Sequence, residues 1–246
     1  MKTGLVGAMH EEILALRKEM DNIKETKIGS REFFEGTIGG HEVVICLSGW
    51  GKVAAASTAS SLINLFNVDQ LVFIGLAGSL SSKLEVGDIV IADKLIQHDV
   101  DLSLLNGFDD VKSPFYKNFV FNVEKASVQF AKNACQQFVG NLKKGKYPTI
   151  NSQYNPQVYI GTIGTGDQFV ASAEGKNKII TKFPEILCTE MEGASIAQVA
   201  ADYQIPCTVI RIISDKADEN AHSSFAEFLF TNISQISVEL AKLIFN

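Results

Sequence analysis

The residues of this chain best suited to chemistry are acids at the ends of apolar runs. The segment Thr208-Val-Ile-Arg-Ile-Ile-Ser-Asp215 reads as a buried strand that closes on Ser214 and Asp215. That is where an open α/β sheet presents its ligand crevice. Arg211 stands in the middle of the same run, and a guanidinium stays charged when buried, so it demands an anionic neighbour. Among the carboxylates expected at strand ends, Glu12 and Glu192 are the leading candidates for that partner. A buried cation, an acid at a strand tip and further acids nearby point to an enzyme handling a polar, uncharged or weakly charged small molecule.

Each of these features also has a plainer account. Glu11 and Glu12 follow the first strand and suit the positive end of a helix dipole as well as they suit a crevice. Glu190 and Glu192 are two apart, so on a helix they point in different directions and at most one enters a given site. Ser214, Asp215 and Asp218 are good turn and cap residues. Gly49-Trp-Gly-Lys52 lacks the spacing and the following Ser or Thr of a phosphate loop, and Gly75-Leu-Ala-Gly78 is not a dinucleotide fingerprint. Both glycine clusters nonetheless let a backbone, at Leu76, Ala77 and Gly78 for instance, approach a ligand closely. Trp50 reads as a pocket wall or a turn filler. Phe169, after Gly164-Thr-Gly-Asp-Gln, is either a core ring or a face for stacking a planar ligand.

The elements that must position these residues alternate between strand and helix. Strands are expected at Thr3–Met9, Gln70–Ile74, Asp88–Ala92, Val158–Thr165 and Pro206–Ser214, with a hairpin over Arg31–Gly40 and His41–Leu47. Helices are expected at Glu11–Met20, Lys52–Phe66, Phe121–Val139, Met191–Tyr203 and Phe225–Phe245. The strand at Gln70–Ile74 is expected to end in the turn Gly75-Leu-Ala-Gly78. The stretch from Gln97 to Asn118 carries apolar Leu102, Leu104, Leu105, Phe108 and Phe115 without a clear period, and Gly140–Gln157 reads as a surface loop. Alternation without a linker predicts a single domain over residues 1–246, a three-layer α/β/α sandwich with a central mixed β-sheet.

Composition excludes several classes. A net charge of −6 with dispersed Lys and Arg argues against a nucleic-acid partner. Four well-separated cysteines and four histidines without ligand spacing predict no metal site and a reducing compartment. No apolar run is long enough to span a membrane, and the N-terminus lacks the pattern of a signal peptide, so a cytoplasmic protein is expected.

The chain resembles the 5'-methylthioadenosine/S-adenosylhomocysteine nucleosidases of the purine nucleoside phosphorylase superfamily. The resemblance runs nearly end to end. It rests on Gly4-Leu-Val-Gly-Ala-Met-His-Glu-Glu12, Ser48-Gly-Trp-Gly-Lys-Val-Ala-Ala-Ala56, Gly75-Leu-Ala-Gly-Ser79, Gly87-Asp-Ile-Val90 and His98-Asp-Val-Asp101. It continues through Gly166-Asp-Gln-Phe169, Glu190-Met-Glu-Gly-Ala194, and Arg211-Ile-Ile-Ser-Asp-Lys-Ala-Asp218 with Ser224-Phe225.

The resemblance implies a nucleoside phosphorylase-like fold, no cofactor, and hydrolysis of the N-glycosidic bond of adenine nucleosides. It implies Asp215, oriented by Ser214, as the proton donor to adenine N7, and Glu12 as the base on the attacking water with help from Arg211. Glu192 would hold the ribose hydroxyls, and Met191 would pack beneath the sugar. Phe169 would stack on adenine while the Val170 backbone reads its edge. Met9 and Phe225 would line the 5' side, closed by the 98–105 loop with Leu102 and Leu105 from the neighbour in a homodimer. Leu76 and Trp50 depart from the usual pattern, at the water site and the 5'-substituent pocket respectively. Three rivals stand beside this reading. They are a phosphorolytic enzyme of the same fold, an aminodeoxyfutalosine nucleosidase, and a non-catalytic nucleoside-binding protein.

Overall fold

The computed structural model describes residues 1–101, 119–150 and 154–245, except for the side chain of Glu12. Among these residues ten strands form one sheet. β1 (Thr3–Gly7) lies between β4 (His41–Leu47) and β5 (Gln70–Ser79), parallel to both. Beyond β4 come β3 (Arg31–Ile38) and the edge strand β2 (Asp21–Ile28), both in antiparallel pairing. On the other side of β5 the sheet closes on itself. β5 pairs with β10 (Cys207–Asp215), β10 with β6 (Ile89–Gln97), β6 with β8 (Val158–Thr165), β8 with β9 (Ile186–Glu190), and β9 returns to β5. β7 (Val120–Asn122) adds to β6.

The three layers follow from the strand period of two. Leu5, Val72, Ile74, Ile210 and Ile212 point to one face, where they pack with α1 (His10–Arg17), α3 (Lys125–Lys143) and α7 (Ser234–Ile244). Their sequence neighbours Val6, Phe73, Val209 and Ile213 point to the other, against α2 (Lys52–Phe66) and α5 (Gly193–Asp202). Central strands apolar on both sides are what a helix-covered sheet requires. Each fully buried Leu or Ile contributes about 1.5–3 kcal/mol of transfer free energy, so this double core is the main driving term. α4 (Ala173–Lys182) starts at Ser172, whose side chain accepts from the Gly175 N–H at 3.1 Å. α2 stops at Asn67, which adopts a left-handed conformation and returns its N–H to Leu62 O.

Several expectations are corrected. β5 does not turn at Gly75 but runs on to Ser79, because its glycines make room for β10: a Cβ on Gly75 would lie 2.8 Å from Arg211 Nη1. Ser214 and Asp215 accordingly lie within the last strand. β6 extends to Gln97, and β7 precedes α3, which continues to Lys143 into the expected surface loop. The C-terminal helix begins earlier, as α6 (Ala221–Phe228), and reaches α7 through a π-helical turn at Leu229–Ile233. Among the described residues no helix is long and apolar enough to cross a membrane.

Candidate active site

The C-terminal ends of β1, β5, β9 and β10 converge on one cavity of about 370 Å³. From β1 and its exit come Ala8 and Met9; from β5 come Leu76, Ala77 and Gly78. β9 delivers Glu190 and, just beyond it, Met191 and Glu192, while β10 delivers Ser214 and Asp215. The turn after β8 adds Gln168, Phe169 and Val170, α6 adds His222 and Phe225, and the turn before α2 adds Trp50. Most of the site residues named from the sequence therefore meet in one place. Leu102 and Leu105, with the rest of the 102–105 segment, lie outside the described residues, as does the Glu12 side chain; the Glu12 backbone sits in the first turn of α1.

Asp215 is 2% exposed. Its Oδ2 accepts from Ser214 Oγ at 2.7 Å and its Oδ1 from the Ala217 N–H at 2.8 Å. Burial pushes its pKa above the ordinary carboxylate value, against the opposing pull of those two donors. Gly78 leaves it space, since a Cβ there would stand 2.8 Å from Oδ1. Lys176 braces the same corner from α4, donating to the carbonyls of Ser79 (2.9 Å) and Lys216 (2.7 Å).

Glu192 faces the cavity from the opposite wall. Its Oε1 accepts from the Gly51 N–H at 2.9 Å. Burial, followed by the charge of Glu190, raises its pKa to about 7, and Arg211 partly offsets this. The Gly49–Gly51 turn that supplies the donor is itself anchored. The Lys52 N–H donates to Asp167 Oδ1 at 2.8 Å, Lys52 Nζ pairs with Asp99 at 2.5 Å, and the Asp167 N–H donates to Asp99 Oδ2 at 2.9 Å. Opposite, Phe169 is half exposed and meets Phe225 edge-on at 5.6 Å, giving the cavity an aromatic face. Trp50, expected as a pocket wall or a turn filler, lines the cavity and is 72% exposed.

Arg211 does not reach the cavity lining, and its described partner is neither of the expected acids. Its Nη2 donates to Glu190 Oε2 at 2.5 Å, and its Cζ lies 3.8 Å above the Phe73 ring. Glu190, Thr189, Gln168, His222 and Ala8 are site residues that reasoning from the sequence missed. The expectation that at most one of Glu190 and Glu192 enters the site is overturned, since both line the cavity. Glu190 is the acid at the tip of a strand, as Asp215 is, and not a helical neighbour of Glu192. Among the described residues no cluster of three His, Cys, Asp or Glu could hold a metal ion.

The profile of the phosphorylase superfamily matches residues 2–245. A 5'-methylthioadenosine/S-adenosylhomocysteine nucleosidase of Aeromonas salmonicida (strain A449) is 34% identical over 229 residues, 93% of this chain and 92% of that protein. The crystal structure of a nucleosidase of the same name from Neisseria meningitidis, in complex with methylthio-immucillin-A, aligns with a TM-score of 0.85. That alignment has 35% identity and covers 99% of this chain and 97% of the other. A futalosine hydrolase of Helicobacter pylori strain 26695 aligns with a TM-score of 0.83 at 32% identity, covering 99% and 97%. With matches of this identity along its whole length, the chain belongs to the phosphorylase superfamily and, within it, to the family of 5'-methylthioadenosine/S-adenosylhomocysteine nucleosidases.

Proposed function

We propose that this chain, acting as one nucleoside phosphorylase-like domain, hydrolyses the N-glycosidic bond of 5'-methylthioadenosine and S-adenosylhomocysteine, and also of 5'-deoxyadenosine. Adenine lies against Phe169 with its edge toward the Val170 backbone. Asp215 gives its proton to N7, so that the C1'–N9 bond breaks with the electron pair leaving on a neutral base. Glu192 accepts from the ribose hydroxyls and favours the positive charge that develops on the sugar. Glu12 takes a proton from the attacking water, whose oxygen bonds to C1'. The products are adenine and the 5-substituted ribose.

The observation that carries this reading is Asp215. It is a buried carboxyl on the cavity wall, raised by desolvation and therefore inclined to hold a proton, with Ser214 fixing its plane. A binding protein has no use for an acid held in that state. Arg211 enters as a positioning residue, since it acts on Glu190 rather than at the cavity. The exposed Trp50 in the cavity lining and the exposed Val53 at the start of α2 support a homodimer in which the 98–105 segment of the neighbour closes the site. Sedimentation velocity checks that assignment.

The similarity to a futalosine hydrolase supports a second reading, an adenine nucleoside with a bulkier 5' group on the same machinery. The test is adenine release from 5'-methylthioadenosine in phosphate-free buffer, repeated with phosphate and with an aminodeoxyfutalosine-type nucleoside. Release without phosphate is expected. Release that requires phosphate makes the enzyme a phosphorylase, and preference for the bulkier nucleoside selects the second reading.

A further inference from the structure

The N-terminus of α5 is capped by side chains from outside the helix. Glu192 occupies the cap position, where a side-chain oxygen ordinarily accepts from a backbone N–H two or three residues on. Its carboxylate makes no such bond and reaches the Gly51 N–H instead. The donors such a side chain would take are held elsewhere: the Ser195 N–H meets the Glu192 carbonyl at 3.0 Å and the Ala194 N–H meets Thr165, while Glu190 holds the N–H groups of the cap residue itself and of Gly193. Glu190 Oε2 accepts from the N–H groups of Glu192 (3.0 Å) and Gly193 (2.7 Å). Thr165 Oγ1 accepts from the Ala194 N–H at 2.8 Å and passes its own hydrogen to Glu190 Oε1. Arg211 completes the set on Oε2. Glu190, Thr165 and Arg211 are all buried, and a Cβ on Gly193 would come within 3.2 Å of both Glu190 oxygens, so the cap is closely fitted.

We propose that Glu190 is the positioning residue for Glu192: by holding the Glu192 and Gly193 N–H groups and fixing the Thr165 hydroxyl that accepts from Ala194, it leaves the Glu192 carboxylate for the sugar hydroxyls of the substrate. Arg211 from β10 neutralises the buried charge that this arrangement introduces. The charged groups that act on Glu192 are Glu190 from β9 and Arg211 from β10, and the N–H groups of Gly51 and Met191 also meet it. Without Glu190 the Thr165 hydroxyl loses its acceptor and the Ala194 N–H its fixed partner, so the Glu192 side chain would be free to fold back onto the first turn of its own helix. The inference rests on the nucleosidase reading only for what Glu192 holds.

The experiment compares wild type with Glu190→Gln and Glu190→Ala, using 5'-methylthioadenosine and its 2'-deoxy analogue. Thermal melting shows which variants are folded. Misplacement of a group by about 1 Å costs on the order of 10²-fold in rate. The expected result is a loss of that size in kcat/KM for Glu190→Ala and a collapse of the preference for the ribonucleoside over the deoxy analogue. Glu190→Gln, which keeps an oxygen acceptor for the helix N–H groups, is expected to recover part of that preference. A merely structural role would lower activity on both nucleosides equally, and an unchanged preference in the folded variants overturns the proposal. If Glu190→Ala does not fold, Glu190→Gln and Thr165→Val carry the same readout. Should the wild type release no adenine, the nucleosidase reading fails by itself. A crystal structure of Glu190→Ala, or of Thr165→Val if that variant does not fold, then decides the inference, since Glu192 found undisturbed on the Gly51 N–H overturns it.

Discussion

Asp215 is held between opposing influences. Burial favours its neutral form, while the Ser214 hydroxyl and the Ala217 N–H favour the anion. In the proposed role of proton donor Asp215 must carry its proton into the reaction, so kcat/KM is expected to fall as pH rises through its pKa. Removing a donor to the anion raises that pKa further, so Ser214→Ala is expected to move the alkaline limb of the pH profile upward. A limb that stays put or moves down contradicts this account. Asp215→Asn keeps the shape and removes the proton. It is expected to lower kcat by about 10²–10⁴-fold while equilibrium dialysis shows nucleoside affinity within a few-fold of wild type. On the acidic side Glu192, raised to about 7 by burial, accepts best from both ribose hydroxyls of the proposed substrate when ionised, so substrate affinity is expected to weaken as pH falls through that region. The place of Asp215 at the cavity was legible in the sequence because an acid closing an apolar run falls at a strand tip, where an α/β sheet presents its crevice. That Glu190 and Glu192 both reach the cavity was not, because their spacing predicts divergence on a helix and Glu190 instead ends a strand. Nor was the partner of Arg211, since a buried cation predicts an anion without saying which.

At the level of elements, the site depends on how closely β5 and β10 lie side by side. Gly75 and Gly78 are in strand conformation, so their lack of a side chain serves space and not backbone freedom: Arg211 and Asp215 occupy the volume their Cβ atoms would take. Gly78→Ala is therefore expected to displace the Asp215 carboxyl and lower kcat at least about tenfold, since small misplacements of a reacting group are costly. Far-ultraviolet circular dichroism is expected to be unchanged. An alanine enzyme of wild-type rate would show that the carboxyl tolerates the shift. Gly51 is the converse case, with φ of +88° and a Cβ position 2.9 Å from Asp167 Oδ1, so both conformation and space select glycine there. In the sequence the two clusters look alike, and reading Gly75–Gly78 as a turn followed from treating glycine as punctuation. The strands that escaped notice did so for related reasons. β2 is exposed along nearly its whole length, with charges suited to a sheet edge, so it shows no apolar alternation. β7 and β9 are too short to show a period. The long central strands and α2, with continuous apolar runs or helical spacing, were legible.

The whole molecule joins an open wing, β1 to β4 beyond β5, to a closed ring of β5, β10, β6, β8 and β9. That closure could not be read from the sequence, because it rests on two residue pairs between β5 and β9. The ring matters because the Arg211–Glu190 pair lies buried where its strands meet, 0% and 6% exposed. Two ions taken from water lose much of their hydration, and their mutual attraction repays this only when further hydrogen bonds satisfy them. Glu190 has those bonds, from Thr165 and the α5 N–H groups, whereas Arg211 Nε has no hydrogen-bond partner among the described residues. The pair is thus better explained by the site it organises than by stability. Removing one partner leaves an uncompensated charge, so Arg211→Met and Glu190→Leu are each expected to cost about 3–5 kcal/mol in urea unfolding. The double variant, with two apolar side chains in place of the pair, is expected to regain most of that loss, so the double-mutant cycle shows strong coupling. Its nucleosidase activity is expected to stay low, because the cap of α5 is gone and Glu192 is no longer held. A double variant as unstable as the sum of the singles would instead make the pair a structural support of the ring, and recovered activity in it would show that Glu192 needs no cap beside it.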